Sequence, residues 1–311
     1  MRHFQCLEGI QLQDTWLTIG TFDGVHLGHQ EIVRSLVSNA HAAGSEAVVL
    51  TFFPHPAVVI GKRQHPSYLT TPDERAALLG EFGVDIVITF PFTPPVSRIT
   101  AQEFITMLKS HLGMKHLTVG PDFALGHNRV GNIQYLKSAG DEHGFTVSTI
   151  QPVEIEGQVV SSSRIRAALR QGEIEKVRTL LGRPYFVKGQ VVPGDGRGHT
   201  IGIPTANLSM WFERALPKSG VYVTQGTING STYGAVTNIG TRPTFTSEDE
   251  RLQVEAHLLD FKDQIYGLEV QLDFISHLRD EQRFSGIDPL VDQIHKDIQQ
   301  ARRILAVQIK A

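Results

Sequence analysis

The chain has 311 residues, 41% hydrophobic and 20% charged, enough for two domains with cores of their own and unlike the composition of a disordered chain. A formal net charge of −3 gives no global argument for a nucleic-acid partner, and the single cysteine, Cys6, excludes an internal disulfide. The stretch MRHFQCLEGIQLQDTW lacks the apolar core of a signal peptide and no run of about 18 apolar residues occurs, so a soluble cytoplasmic protein without a membrane partner is expected, with Cys6 a buried small hydrophobe.

In chain order, WLTIG (16–20) reads as a buried strand and HQEIVRSLVSNAHAAG (29–44) as a helix with Ile32, Val33, Leu36 and Val37 on one face, stopped at Gly44. EAVVLTF (46–52) is the next strand. TPDERAALLGEFG (71–83) is a helix with Thr71 as N-cap and Pro72 at its first position. VDIVITF (84–90), a helix near 100–112 and KHLTVG (115–120) continue the alternation, which predicts a parallel sheet covered by helices on both faces. After about residue 182 the pattern changes to short runs rich in Val, Ile, Thr and Tyr: YFVKGQVV, GVYVTQGTI, STYGAVTNIG, LQVEAHLLDF and LEVQLDFI. Gly, Pro and Asn separate them, as in an antiparallel barrel or sandwich. Residues 287–307 read as one closing helix with Leu290, Ile294, Ile298 and Ile304 facing inward. Two domains are therefore expected, 1–182 and 183–311, joined by a short connection.

The string GTFDGVHLGH (20–29) lies between the first strand and the first helix. Its glycines let the backbone approach a ligand, and the helix that follows offers free N–H groups to a phosphate. His26 and His29 sit at the same corner, where donors would stabilise charge spreading over an α-phosphate. Taken alone, the turn fits a plain structural turn equally well, and the histidines have no third ligand with metal-site spacing. SSSRIR (161–166) reads as a helix start whose serines cap free N–H groups or bind phosphate, with Arg164 and Arg166 as guanidinium donors; alone it fits an N-cap with two surface arginines.

The whole first string resembles the HxGH signature of the nucleotidyltransferase superfamily, in the form carried by bacterial FAD synthetases, and SSSRIR matches the second signature of that superfamily. The resemblance implies that His26 and His29 contact the ATP phosphates and stabilise the transition state. It also implies that Gly20, Phe22, Asp23, Gly24, Gly28, Ser162, Arg164 and Arg166 surround ATP. TFFPHP (51–56) is similar to stretches that form the family's flavin pocket, which nominates Phe53, Pro54 and His55. VGPDFALGHNRVGN (119–132) resembles a family loop that places Asp122 and the backbone of 128–132 near the nucleotide or the flavin phosphate. Ala124 and Leu125 depart from that loop, where a basic residue and Phe are usual. His41, His65, His111, His116 and His143 have no motif around them and are expected at the surface.

Residues 182–208 read GRPYFVKGQVVPGDGRGHTIGIPTANL, with a Gly-rich loop able to wrap phosphates although the Walker sequence is absent. Thr205 and Asn207, two apart, offer hard neutral oxygens of the kind that suit Mg²⁺ when ATP supplies further ligands. Alternation in LQVEAHLLDF puts Val254, Ala256 and Leu258 on one face and Glu255, His257 and Leu259 on the other. Glu255 is thus either a base for a substrate hydroxyl or an ordinary solvated strand residue.

This half resembles the riboflavin kinase family, whose marker is GxPTAN. The resemblance implies that Thr205 and Asn207 bind Mg²⁺–ATP, that Gly196, Gly198 and Gly202 cradle its phosphates, and that Glu255 accepts the proton of the ribityl 5′-hydroxyl. NIGTRPTF (238–245) matches a further family string, and HLRDEQRF (277–284) is expected as a flap over the flavin, with Arg279 and Glu281 as polar contacts or as a surface salt bridge. His199 stands where Lys or Arg is common. The resemblance covers nearly the whole chain in the order of bifunctional bacterial riboflavin kinase/FAD synthetases. It implies a Rossmann-like α/β nucleotidyltransferase domain followed by an antiparallel β-barrel kinase domain, acting on riboflavin, FMN and ATP. A single-activity enzyme, a flavin-sensing protein and an adenylyltransferase for another substrate are less consistent with both sets of residues being present.

Overall fold

In the computed structural model, which describes residues 1–62, 67–194, 198, 202–241 and 252–308, contacts divide the chain into Met1–Ser162 and Ser163–Ala311. Gly196, His199 and His65, and residues 242–245 of the NIGTRPTF string, lie outside the described residues.

The first unit is built on β1 (Arg2–Phe4), β2 (Thr15–Gly20), β3 (Ala47–Phe53), β4 (Ile86–Pro91), β5 (Met114–Val119) and, beyond the short hairpin β6 (Ala124–Leu125) and β7 (Gly131–Asn132), β8 (Thr146–Thr149). Among the described residues these make a six-stranded sheet in the order β1-β4-β3-β2-β5-β8, every neighbour parallel. The helices are α1 (Leu27–Ala42), the single turn α2 (Pro56–Val59), α3 (Pro72–Glu81), α4 (Ala101–Leu112) and α5 (Ile133–His143). Helices cover the sheet, so the central strands are apolar without alternation: Val48, Val49, Leu50, Ile86, Val87 and Ile88 are all fully buried. Thr71 and Thr100 close capping boxes with Glu74 and Glu103, which fixes where α3 and α4 begin. The chain runs outward from β2 through β3 to β4 and then returns to β5 on the other side of β2. That reversal leaves a crevice at the carboxyl ends of β2 and β5, where open parallel sheets bind ligands. A second hairpin, β9 (Glu154–Ile155) with β10 (Gln158–Val159), precedes the end of this unit.

The second unit opens with α6 (Ser162–Gln171), whose first residue marks the division, and α7 (Ile174–Leu181). β11 (Tyr185–Val192), β12 (Ala206–Ser209), β13 (Gly220–Ile228), β14 (Ser231–Thr241), β15 (Leu252–Leu258) and β16 (Glu269–Arg279) close into a barrel in the order β11-β12-β15-β14-β13-β16. All its pairings are antiparallel. The interior is filled by side chains such as Val254, Ala256, Leu272 and Phe274, and the buried Thr224 and Thr237 hydroxyls satisfy each other at 2.7 Å. Outside, Val221, Val223, Val236, Leu259 and Ile275 form a second apolar layer under α8 (Ile287–Gln308). Ile298 and Ile304 pack there as expected, but the most buried apolar positions of α8 are Ala301 and Leu305.

The sequence pattern changes at 182, whereas contacts assign α6 and α7 to the barrel unit. The physical link is α7, which packs on β11 and β16, with the Ser276 hydroxyl donating to the Glu175 carboxylate at 2.8 Å. Three smaller expectations are revised. Cys6 is exposed rather than buried. His111, His116 and His143 are half-buried rather than superficial, and His116 stacks on Trp16 at 3.8 Å. α1 starts at Leu27, two residues before the expected start at 29, because His26 caps it.

Candidate active sites

The first site lies at the reversal point of the parallel sheet. Gly20 ends β2, and the turn that follows is strained: Phe22 and Val25 have positive φ, and Gly24 has φ +86°. A Cβ on Gly24 would stand 2.7 Å from Leu69 Cδ1, so a side chain is excluded by space as well as by backbone angle. The Gly24 N–H donates to Thr70 Oγ1 (3.1 Å). Fully buried Asp23 accepts from the backbone N–H groups of Leu69 (3.0 Å) and Thr70 (3.1 Å) and from the Thr70 hydroxyl (3.1 Å). The Asp23 carboxylate therefore fastens this turn to the 69–70 segment, and the Asp23 carbonyl accepts from the Ser162 hydroxyl at 2.8 Å. One hydrogen bond thus ties the two signature strings together.

His26 is the N-cap of α1: its Nδ1 accepts from the His29 N–H at 3.3 Å. Because Nδ1 accepts, the ring proton of a neutral His26 sits on Nε2. The two imidazoles stack with centroids 3.6 Å apart, Gly28 packs against the His26 ring, and the Phe22 ring meets His29 edge-on at 5.0 Å. His29 Nδ1 is buried and has no hydrogen-bond partner among the described residues. Burial, joined by the neighbouring His26 and Arg75, holds His29 well below the usual 6.5, so the ring is neutral at pH 7.

A cavity of about 700 Å³ opens in front of His29. Phe52, Phe104 and Leu125 give it an apolar wall, and Lys62, Asp122 and Arg129 bring charge to its rim. His55 lines it too, with its N–H donating to the Tyr68 hydroxyl (2.9 Å) and its Nδ1 capping α2. Phe53, joined to Pro54 by a cis peptide, packs its ring on Tyr68, while its strand neighbour Phe52 faces the cavity. The Asp122 carbonyl accepts from Arg129 (2.7 Å), which closes the 120–132 loop on itself, and Asn132 caps α5 through Tyr135 N–H (3.0 Å). Leu125 belongs to the sheet's core cluster, so its departure from the family pattern is absorbed by packing. Arg164 and Arg166 lie on α6 in the second unit, the latter buried. The buried Arg75 was missed at the sequence level, although its spacing to Leu78 and Leu79 places it on the apolar face of α3.

The second site lies on the outer face of the barrel. The strand register puts Glu255 directly between Asn207 on β12 and Asn238 on β14, so one carboxylate is flanked by two carboxamides in a row across three strands. A Cβ on Gly194 would overlap the Asn207 amide, so the segment after β11 lies directly on that side chain. Thr205, Glu255, His257 and Asn238 line a cavity of about 420 Å³ together with Leu290 and Ile294 of α8. His257 Nδ1 bonds the Pro204 carbonyl at 2.8 Å, which fixes the approach to Thr205. Gly198, described alone within its loop, also lines this cavity; Gly202 follows with φ +75°.

The flap after β16 closes the same cavity. Arg279 bonds the buried Asp297 of α8 through Nε (3.0 Å) and Nη2 (2.8 Å), and Gln293 donates to the same carboxylate at 2.8 Å. Phe284 lies under the Arg279 guanidinium at 5.9 Å, and Glu281 packs over Gly240. Asn238 and Asp297 were not singled out from sequence. Asn238 was legible as the partner of Val236 in an alternating strand, but its place beside Glu255 depends on a pairing between separate segments.

Comparison with known proteins assigns a family model to each half: FAD synthetase to residues 10–164 and riboflavin kinase to residues 181–305. A bifunctional riboflavin kinase/FMN adenylyltransferase of Listeria monocytogenes is 36% identical over 291 residues, covering 93% of this chain and 92% of the relative. Its namesakes from Bacillus subtilis and Escherichia coli K12 are 35% and 37% identical, covering 92% and 94% of this chain and 91% and 93% of their own lengths. A solved structure described as a macrolide-efflux protein from Streptococcus pneumoniae superposes with a TM-score of 0.87 at 32% identity, covering 96% of this chain and 98% of that one. Among the described residues of the present chain, no helix is long and apolar enough to cross a membrane.

Proposed function

The chain belongs to the bifunctional riboflavin kinase/FMN adenylyltransferase family, and from that premise we propose a division of labour between its two sites. It phosphorylates riboflavin to FMN and adenylylates FMN to FAD, with ATP as co-substrate in both steps. The observation that carries the assignment is the presence of two chemically different constellations: a histidine pair at the reversal point of a parallel sheet, and a carboxylate between two carboxamides on a barrel.

In the kinase step, Glu255 accepts the proton of the ribityl 5′-hydroxyl as that oxygen attacks the γ-phosphate. Thr205 and Asn207 supply hard neutral oxygens, a donor set that suits Mg²⁺ shared with ATP. Mg²⁺ bound there would neutralise charge on the phosphates. Arg279, held by Asp297, and Glu281 define the flap side of the flavin pocket.

In the adenylyl-transfer step the FMN phosphate attacks the α-phosphate of ATP and pyrophosphate leaves. His26 directs its Nε2–H from a ring anchored by the cap, and His29 presents a buried ring able to gain a proton as negative charge arrives. Gly20, Gly24 and Gly28 form the close-approach turn around these rings, while Asp23 and Phe22 hold its shape from below. The flavin occupies the apolar cavity between Phe52, His55 and the 122–126 loop. We place the functional boundary after Gly182, a reading supported by family matches that end at 164 and resume at 181. The reactions belong to the cytoplasm, with no nucleic-acid or membrane partner, in keeping with a lone exposed cysteine.

The test separates the sites. Glu255→Ala should abolish FMN formation from riboflavin yet leave FAD formation from supplied FMN, and His29→Ala should do the reverse, both followed by chromatography of the flavins. Loss of both activities in either folded variant would refute the division.

A further inference from the structure

Arg75 is among the largest fully buried side chains of the molecule, at 1% exposure, and neither reaction as described uses it. A buried guanidinium is costly unless its hydrogen bonds and charge are met, so its surroundings show what holds it there. Nη1 donates to Thr51 Oγ1 (2.9 Å) and to the Phe52 carbonyl (3.3 Å), both at the carboxyl end of β3. Thr51 passes the connection on, since its hydroxyl donates to the Thr21 carbonyl at 2.9 Å. On its other side Nη2 lies 3.9 Å from Asp23 Oδ1. The guanidinium thus joins three things: the strand end that carries Phe52, the first residues of the histidine turn, and the carboxylate that ties that turn to Leu69 and Thr70.

We infer that Arg75 is a positioning residue for adenylyl transfer, whose planar fork locks the histidine turn against β3 and whose fixed charge stands on the buried side of that turn, beside Asp23. The inference rests on the adenylyl-transfer reading of this site. Arg75 does not itself line the cavity, although it bonds the carbonyl of Phe52, which does, and it acts through His29 and Asp23. The groups that face His29 are His26 from the start of α1, stacked on it, and Arg75 from α3, with Asp23 beside Arg75. Across the cavity stand His55, Lys62, Asp122 and Arg129. Burial is the largest cause that lowers His29, followed by His26 and then Arg75. A cation that does not titrate, placed near the ring, opposes protonation in the empty site. An incoming polyphosphate reverses that balance. His29 therefore changes charge in response to the nucleotide rather than to the medium, and Arg75 contributes to that threshold after burial and His26.

The sign follows directly. Removing a neighbouring positive charge favours the protonated imidazole, so His29 should titrate at higher pH in Arg75→Gln, whose carboxamide can still donate to Thr51 or Phe52. Arg75→Lys keeps the charge and loses the fork, so His29 should titrate as in the parent while the turn is held less firmly. The experiment follows the imidazole signal of His29 by NMR in the full-length chain, assigned by its loss in His29→Gln, together with the pH profile of kcat/KM for FAD formation. Riboflavin phosphorylation in the same samples serves as an internal check on folding.

The expected result has three parts. The His29 titration moves upward in Arg75→Gln only, the limb of the FAD-formation profile moves with it, and phosphorylation stays within about twofold of the parent, as for independent sites. An unchanged His29 titration in Arg75→Gln would overturn the inference. So would a displaced titration in Arg75→Lys, or equal loss of FAD formation in both variants with an unshifted profile, since that pattern marks a purely structural residue. If Arg75→Gln failed to fold, the Arg75→Lys titration alone would still decide against the charge role by moving. FAD formation surviving in His29→Ala would instead sink the adenylyl-transfer reading, while the titration comparison would still judge Arg75.

Discussion

At the scale of single residues, the first site is a turn under strain held by a few polar contacts. Gly24 is its least replaceable member, with a left-handed backbone and Leu69 2.7 Å from where a Cβ would stand. Gly24→Ala should cost about 1–3 kcal/mol by the usual penalty for forced backbone angles, lowering the melting temperature and removing FAD formation before FMN formation. The histidines and glycines of this turn were readable because they form one contiguous string. Asp23 and Arg75 were not readable in their actual parts, because the N–H groups of Leu69 and Thr70 and the oxygen of Thr51 are far from them along the chain. A carboxylate inside a phosphate-binding string reads as a ligand contact until its hydrogen-bond partners are known. Here they include the backbone N–H groups and the hydroxyl of the adjoining 69–70 segment.

At the scale of elements, α8 has two duties in the second unit. Its Ala301 and Leu305 cover the barrel's outer layer, and its Leu290, Ile294 and Asp297 complete the pocket that holds Glu255. Leu305→Ala should therefore destabilise the barrel unit by about 2–5 kcal/mol, as for other buried leucines, seen as a lower denaturation midpoint. Asp297→Asn should keep the helix but weaken the grip on Arg279, raising KM for riboflavin more than it lowers kcat, measurable in steady-state kinetics. The strands and the helix were legible from alternation and from the 3.6-residue repeat, because both are local signals. The register that places Asn207 and Asn238 on either side of Glu255 was not, since β12 pairs with β15 across the intervening β13 and β14, and alternation alone does not fix which residue of β14 meets Glu255. β1 was also missed: three residues are too few to show a period, and they read as strand only once β4 is beside them.

At the scale of the whole molecule, acidity should act unequally on the two halves. His29 is buried neutral, with a folded pKa below the usual 6.5 it regains on unfolding. Between those two values the unfolded chain binds the extra proton, so the stability of the first unit falls as pH drops below about 6.5 and is regained above it. Calorimetry from pH 7.5 to 5.5 should show this fall in the parent and less of it in His29→Gln, while ATP, by favouring the charged ring, should blunt it. The α/β-then-barrel order was legible from the change of pattern near 182, but the allegiance of α6 and α7 was not, because their apolar faces say that they pack and not on what.

The position of α8 has a consequence in time. On the ribosome every barrel strand emerges before the helix that supplies Leu290, Ile294 and Asp297. A nascent chain interrupted after β8 and before residue 287 can have its parallel sheet and histidine turn in place and still lack the α8 side chains that line the cavity beside Glu255. The enzyme's second reaction is thus assembled first during synthesis, and the step that makes its substrate is finished last.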